Sequence, residues 1–512
     1  MNRYTRYTLV WIGALLLCKI ICSYFLELGN DEVYYRLYAD HLAWSYFDHP
    51  PMVGWMIRLT TFNLNVDSEL FVRLGSLICG SLTLWIIYLC GKQINNEKAG
   101  FLSAIMFGST TYSFLISGLF ILPDSPQMFF WSLSLLTLIR FIQLQHDFKR
   151  SAKYIIWFGV FSGLGMMSKI HTAFLWAGFI MYILFQNRQL LRNGYIYLSA
   201  LITITIFSPA IWWTISEHFI TYSYHGARIS HFDKGIRLET LFAFIAGQLI
   251  YANPLLIPLW FKSIIKYYRS KVHSRHKLHA IFLYTSLPLL FLLIFSSLFN
   301  NTLPHWAGPS YVSLSVLTGY HLSFRTYFTS KKLNWKLLIT WPLFVFLTLP
   351  VFVQSYPGTV GLKQPGKMGK GDPSIEMYGW KKAAKILFPL LDSMKQRHPG
   401  LTIIGNKWFP AAHIEEYIAR PNQIQVICLG PPDQIHQYYF LNDERKPLKT
   451  GDTALFIMPS NNPEDPSLIF KNNFRSVDYI NRYAITRGGK TCKYLFVYRL
   501  NFYLKYNDSL DI

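Results

Sequence analysis

The sequence predicts a polytopic α-helical membrane protein with a small α/β domain at its C-terminal end. Three observations carry that expectation. Apolar residues make up 52% of the chain and charged residues 15%. Hydrophobic runs reach the roughly 20 residues needed to cross a bilayer. The composition then changes after residue 355, where Gly, Pro and Lys gather between Pro357 and Pro373. Candidate spans lie at 7–28, 69–91, 99–121, 126–145, 154–168, 171–186, 195–213, 241–261, 279–299, 308–322 and 336–354, about eleven transmembrane helices if the two short runs around Lys169 form a tight hairpin. The first is expected to be a retained helix rather than a cleaved signal, with Lys19 at its middle and no small-residue cleavage site before Glu27. Lys19 should face other helices, because a cation turned to lipid is costly.

Charge sets the orientation. With the N-terminus inside, the inner segments 1–6, 92–98, 146–153, 187–194, 262–277 and 323–336 hold roughly nineteen Lys and Arg, against about six in the outer loops before residue 355. Acids run the other way: Glu97 and Asp147 fall inside, whereas Asp31, Glu32, Asp40, Asp48, Asp67, Asp124, Glu217, Asp233 and Glu239 fall outside. The expected organisation is a membrane domain at 1–354 and an outer α/β domain at 355–512. In the latter, apolar patterning predicts helices near 375–397 and 409–419 and strands at 401–405, 423–428, 453–458 and 493–500. Its excess of Lys and Arg over acids suits anionic head groups or an acidic lipid substrate, and equally a solubilising surface. Cys18, Cys22, Cys79 and Cys90 lie in hydrophobic spans, while Cys428 and Cys492 end predicted strands and could pair if the fold brings them within reach.

The outer loops gather the chemistry. Asp31, Glu32, Asp48 and His49 come from the first, Asp124 from Leu122-Pro123-Asp124-Ser125-Pro126, and Lys169 from the hairpin. His218, His225 and Arg228 come from the fourth, His305 from Leu303-Pro304-His305-Trp306, and Arg73 lies about one turn inside the second span. A carboxylate beside hydrocarbon is costly unless something uses it. Acids can deprotonate a hydroxyl and cations can hold a phosphate as its charge develops, which suits transfer from a lipid-phosphate donor. Structural alternatives stand beside each residue. Arg73 and Lys169 could snorkel to head groups, Asp124 could cap the helix it precedes, and His225 and His305 could be interfacial hydrogen-bonding groups.

In order and spacing, several segments resemble a known family. They are Tyr46-Phe47-Asp48-His49-Pro50-Pro51, Arg73-Leu74-Gly75-Ser76, Pro123-Asp124-Ser125-Pro126 and Gly163-Leu164-Gly165-Met166-Met167-Ser168-Lys169. Pro209-Ala210-Ile211-Trp212-Trp213, Gly247-Gln248-Leu249 and Pro304-His305-Trp306-Ala307-Gly308-Pro309 complete the set. Together they resemble GT-C glycosyltransferases of the bacterial protein-mannosyltransferase and aminoarabinose lipid A transferase type, over nearly the whole membrane region.

That resemblance implies a multi-pass enzyme of the bacterial cytoplasmic (inner) membrane that uses a polyprenyl-phosphate sugar donor on the outer face, with a lipid, glycan or protein acceptor. It maps the leading catalytic carboxylate to Asp31, with Glu32 adjacent, the second acid to Asp124, and the lysine after the fifth span to Lys169. The pair before the prolines is an acid and a lysine in the aminoarabinose transferases; here it is Asp48-His49. The expected mechanism is direct displacement with inversion. Asp31 takes the acceptor's proton, Asp124 orients the acceptor or its neighbouring loop, and Lys169 with Arg73 or Arg228 neutralises the departing phosphate. Asp48, His49 and His225 could supply ligands to a divalent metal ion, though no local motif fixes one. The expected partners are membrane lipids, donor and acceptor, with no nucleic acid. A lipid or polysaccharide transporter would show inverted repeats and broken midplane helices, and a non-catalytic accessory membrane protein would tolerate loss of Asp31.

Overall fold

The computed structural model describes residues 1–229, 235–269, 273–324 and 335–504, with some side chains at the edges of these segments outside the described set. The chain divides into two compact units: Met1–Cys22 with Tyr38–Leu347, and Ser23–Leu37 with Thr348–Ile512.

The first unit is helical. Its helices are α1 (Arg3–Phe25), α2 (Asn30–Asp40), α3 (Met52–Thr60), α4 (Glu69–Ile94), α5 (Glu97–Gly108), α6 (Asp124–Gln143), α7 (Phe148–Met166) and α8 (Ala173–Gln186). They continue with α9 (Gly194–Ser216), α10 (Ile220–Ile229), α11 (Leu238–Ala252), α12 (Ile257–Arg269), α13 (His273–Tyr284), α14 (Leu287–Ser297), α15 (Gly308–Ser323) and α16 (Trp335–Ser355); α1, α2 and α16 straddle the division between units. Among the described residues, four helices are long and apolar enough to cross a membrane alone: Arg3–Phe25, Glu69–Ile94, Gly194–Ser216 and Leu278–Ser297. The pair α11 and α12 adds a fifth if it is one span, bent by 95°. That bend falls at Asn253, which takes a left-handed φ of 71°, a conformation Asn tolerates better than most residues. Its amide also donates to Ser109 O at 3.0 Å.

Small residues let these helices approach closely. A Cβ on Gly319 of α15 would meet the Ser103 side chain of α5 at 2.2 Å, and one on Gly159 of α7 would meet Ser199 O of α9 at 2.4 Å. With no hydrophobic drive between helices inside lipid, such contacts and hydroxyl bonds supply association. Accordingly Ser199 donates to Ile155 O at 2.6 Å and Thr203 to Gly159 O at 2.9 Å. Lys19 is buried, as expected of an intramembrane cation: its ammonium lies 3.4 Å from Ser113 O and over the Phe114 ring.

The second unit is built on a five-stranded mixed sheet in the order β2-β1-β3-β5-β4. Strands β1 (Thr402–Gly405), β2 (Gln425–Cys428) and β3 (Ala454–Pro459) are parallel, and β4 (Phe474–Arg487) and β5 (Lys490–Tyr503) form an antiparallel hairpin on β3. Ile404, Ile427, Phe456, Phe470 and Leu500 pack its core. Helix α17 (Trp380–Arg397) precedes β1. Cys428 and Cys492 are both free. Their strands are separated by β1 and β3, so at about 4.8 Å per strand they stand far beyond bridging reach.

The Gly-, Pro- and Lys-rich stretch between Pro357 and Pro373 is held against the hairpin. Arg487, wholly buried, bonds Asp372 Oδ2 at 3.0 Å, Gly358 O at 2.9 Å and Ser374 Oγ at 2.7 Å. Burial alone would raise the Asp372 carboxyl, but hydrogen bonds from Ser374, Thr359 and Val360 outweigh it and hold the group below the usual carboxylate range. Arg487→Met strands that carboxylate without its ion-pair partner. The variant is expected to lose about 3–5 kcal/mol of stability in this unit, read as a fall in Tm of detergent-purified protein and faster proteolysis within 355–374.

Candidate functional site

Two clusters hold the candidate residues, one in each unit. In the first, Pro123 precedes α6 and Asp124 opens it, the place where N–H groups lack helical partners and a carboxylate is favoured. Lys169 sits in the turn after α7, its N–H bonded to Gly165 O at 2.9 Å. Its ammonium meets Asp124 Oδ2 at 2.8 Å, with both side chains about 5% exposed or less. Tyr112 donates to the other carboxylate oxygen, Oδ1, at 2.9 Å. His305 lies within electrostatic reach of both charges. Burial is the main cause holding its imidazole down to about 4; Asp124 opposes that and Lys169 adds to it. The ring is therefore neutral.

A supporting shell fixes these groups. Gln248 donates to Pro304 O at 2.8 Å and accepts from the Tyr311 hydroxyl at 2.5 Å, and Tyr311 meets the Tyr112 ring edge-on at 5.8 Å. Gly308 is required here, since a Cβ would stand 2.0 Å from the Tyr112 ring. Nothing in the sequence marks Tyr112, Gln248 or Tyr311 for a role, although Gly247-Gln248 and Gly308 lie within the family-like segments. The signal for Tyr112 is absent locally, because it acts on an acid twelve residues away across a π-helical turn, Tyr112–Ile116.

The first-loop motif reaches the same region. Met52 N–H donates to Met167 O at 3.1 Å, joining the helix after Asp48-His49-Pro50-Pro51 to the turn that carries Lys169. Asp48 accepts from the Tyr38 hydroxyl, and Tyr38 stacks on Tyr46 with ring centroids 3.7 Å apart. Thr221 of α10 donates to Tyr46 O at 3.3 Å and Tyr224 packs on Phe47. The side chains of His225 and Arg228, also on α10, lie outside the described residues. Arg73 is fully buried on α4, its guanidinium 5.8 Å from the Phe120 ring centroid, beside Ser76, which donates to Leu119 O at 2.8 Å. Among the described residues no three His, Cys, Asp or Glu side chains gather as a metal site.

The second cluster lies in the other unit, around the start of α2. Gly29 is the residue before the helix; its carbonyl accepts from Val33 N–H at 3.0 Å and its N–H donates to Glu32 Oε2 at 2.9 Å. That is one half of a capping box, with the acid at the third helical position reaching back. Glu32 is buried and Asp31 exposed. Glu376 sits close by. Burial first, then the Asp31 charge, with a smaller push from Asp372, raise its carboxyl to about 7, against a hydrogen bond from Asn30 and the charge of Lys493. Between the ordinary value of 4.5 and about 7 the folded protein thus holds a proton that the unfolded chain has released. Stability must fall as pH rises through that window. Glu376→Gln is expected to flatten the decline, so the Tm gap between wild type and variant should change from pH 4.5 to pH 7.5 in the variant's favour.

A family model described as dolichyl-phosphate-mannose-protein mannosyltransferase matches residues 48–213. The lipid A galacturonosyltransferase RgtD of Rhizobium johnstonii is 22% identical over 323 residues, and the match spans 63% of this chain and 63% of that relative's length. An uncharacterized protein of Aquifex aeolicus is 22% identical over 364 residues, 65% of this chain and 68% of its own. Two crystal structures of ArnT from Cupriavidus metallidurans are similar in fold: one bound to undecaprenyl phosphate, with a TM-score of 0.62, and one in the apo state, with 0.63. Each is 11% identical, and they cover 96% and 97% of this chain and 98% of each ArnT chain. The family model matches about a third of the chain, and over nearly its whole length the chain shares the fold of the ArnT structures.

Proposed function

We propose that this chain is a membrane glycosyltransferase that moves a sugar from a polyprenyl-phosphate carrier to a lipid A-type acceptor on the outer face of the bacterial cytoplasmic membrane, with inversion. On this proposal the chain crosses the membrane about eleven times, with an inner N-terminus and an outer domain at 355–512. The observation that carries it is the buried Asp124–Lys169 pair held by Tyr112. Taking two charges out of water costs several kcal/mol per ion before their attraction is counted, so a pair kept at a helix start beside the first-loop motif serves chemistry better than stability. Asp124 uses one of the three ammonium N–H donors, which leaves Lys169 able to meet a phosphate as the glycosyl bond breaks. Asp31, exposed at the start of α2, takes the acceptor hydroxyl's proton. Asp48 and His49 then border the donor, with Arg73 and His305 completing the polar surroundings, and His225 and Arg228 remain candidates from the sequence alone.

Support for the donor and acceptor classes comes from ArnT bound to undecaprenyl phosphate and from RgtD, whose name assigns it lipid A. The deciding experiment reconstitutes the purified full chain in liposomes with lipid A and, separately, a polyprenyl-phosphate hexose, hexuronic acid and amino-pentose. Mass spectrometry of the lipid A fraction reads the added sugar. Addition from one donor names the sugar; no addition from any, with peptide and glycan acceptors also unmodified, removes the transferase reading.

A further inference from the structure

The chain leading to Asp31 is tied down residue by residue to the C-terminal part of its own unit. Glu27 accepts from Trp380 N–H at 2.7 Å and Lys381 N–H at 3.1 Å, the first two residues of α17, whose N–H groups have no partner within the helix. Gly379 before them has no side chain with which to cap. The N–H of Leu28 donates to the Tyr417 hydroxyl at 2.7 Å. Asn30 then sets its side-chain oxygen 2.9 Å from His413 Nε2, and its amide also hydrogen-bonds the Glu376 carboxyl group. Residues 27, 28 and 30 are pinned, and Asp31 is the exposed residue that follows.

His413 is shaped for this single contact. The ring is fully buried, lies flat on Trp380 at 4.4 Å and 9°, and has Tyr417 on another side at 6.1 Å. Among the described residues its Nδ1 has no hydrogen-bond partner. Burial, helped by the nearby Lys493 charge, holds the imidazole well below its usual range, so the ring is neutral and its one N–H is the Nε2–H aimed at Asn30. With its oxygen fixed by His413, the Asn30 amide nitrogen must face Glu376. An amide held at both ends cannot rotate, and the next residue inherits that rigidity.

We propose that Asn30, clamped between His413 and Glu376, is a positioning residue for the Asp31 carboxylate, which makes the C-terminal unit part of the catalytic machinery. The proposal rests on the reading of Asp31 as the base. Displacing a reacting group by even about 1 Å can cost on the order of a hundredfold in rate, so the clamp acts on turnover rather than on donor affinity.

The test uses the full chain in liposomes, with kcat, donor KM and Tm measured for Asn30→Ala, His413→Leu, His413→Gln, Asp31→Asn and Asn30→Ala with Asp31→Asn. Asn30→Ala and His413→Leu should lower kcat by about ten- to a hundredfold while donor KM moves less than about twofold. His413→Gln, whose amide can donate in place of Nε2–H, should keep most of kcat. In the Asp31→Asn background Asn30→Ala should cost nothing more, because its effect runs through that carboxylate. Unchanged kcat in Asn30→Ala, or the same further loss without Asp31 as with it, overturns the proposal, and Asn30→Ala alone decides it if His413→Leu does not fold. A wild-type rate in Asp31→Asn overturns the base reading itself and this proposal with it; loss there with full activity in Asn30→Ala overturns the positioning role alone.

Discussion

Asp31→Asn is expected to lower kcat by about 10²- to 10⁴-fold, the usual contribution of a positioned general base, with donor KM nearly unchanged. The substitution keeps size and shape and removes only basicity, so a loss confined to kcat isolates proton transfer from binding. Its neighbour supplies the contrast. Glu32 is buried and caps α2 through Gly29 N–H, so Glu32→Gln should act first on stability, by about 1 kcal/mol as caps do. Initial rates of sugar transfer to lipid A, with Tm measured on the same preparations, separate the two. Equal kcat losses in both variants would mean that the first-loop acids act only by holding the helix.

The division between these neighbours was not legible in the sequence, where Asp31 and Glu32 form one acidic pair. Which acid turns inward depends on helix phase, and α2 is too short and too mixed in character to show its start among flanking apolar runs. The long apolar segments, by contrast, announced themselves, because hydrocarbon imposes a length and composition that few other environments demand. Strand β4 escaped notice for a related reason. Phe474–Arg487 is largely exposed, and a bulge between Tyr479 and Asn481 breaks the two-residue alternation that marks a strand. The Gly488-Gly489 pair, with φ of 53° and 77°, was the readable sign of a hairpin.

The candidate site divides the same way. Asp124 stood out because prolines flank it and no other charge shares its loop, and Lys169 because it interrupts an apolar hairpin. That they form one ion pair is a tertiary fact: the partners are 45 residues apart, and no local period links them. Tyr112, Gln248 and Tyr311 were hidden more deeply, since a tyrosine or glutamine in an apolar run reads as an ordinary helix-packing residue until its hydroxyl or amide is seen to hold a catalytic candidate in place.

The ion pair carries the other large effect. Lys169→Met keeps the aliphatic stem and deletes the charge, which leaves the Asp124 carboxylate buried with the Tyr112 hydroxyl still donating to it at 2.9 Å. Breaking a buried pair from one side costs about 3–5 kcal/mol, whereas replacing both partners by neutral groups is often nearly neutral. The single variant should therefore fall in Tm, and Lys169→Met combined with Asp124→Asn should recover most of that loss, because an asparagine oxygen can still accept from Tyr112. Transfer should not recover with it. If Lys169 stabilises the departing phosphate, kcat in the double variant should stay down by about 10²- to 10³-fold, as when one preorganised transition-state donor is removed. A double variant that regains both Tm and transfer would make the pair a structural fastening, and the counter-charge for the phosphate would then have to come from Arg73 or Arg228.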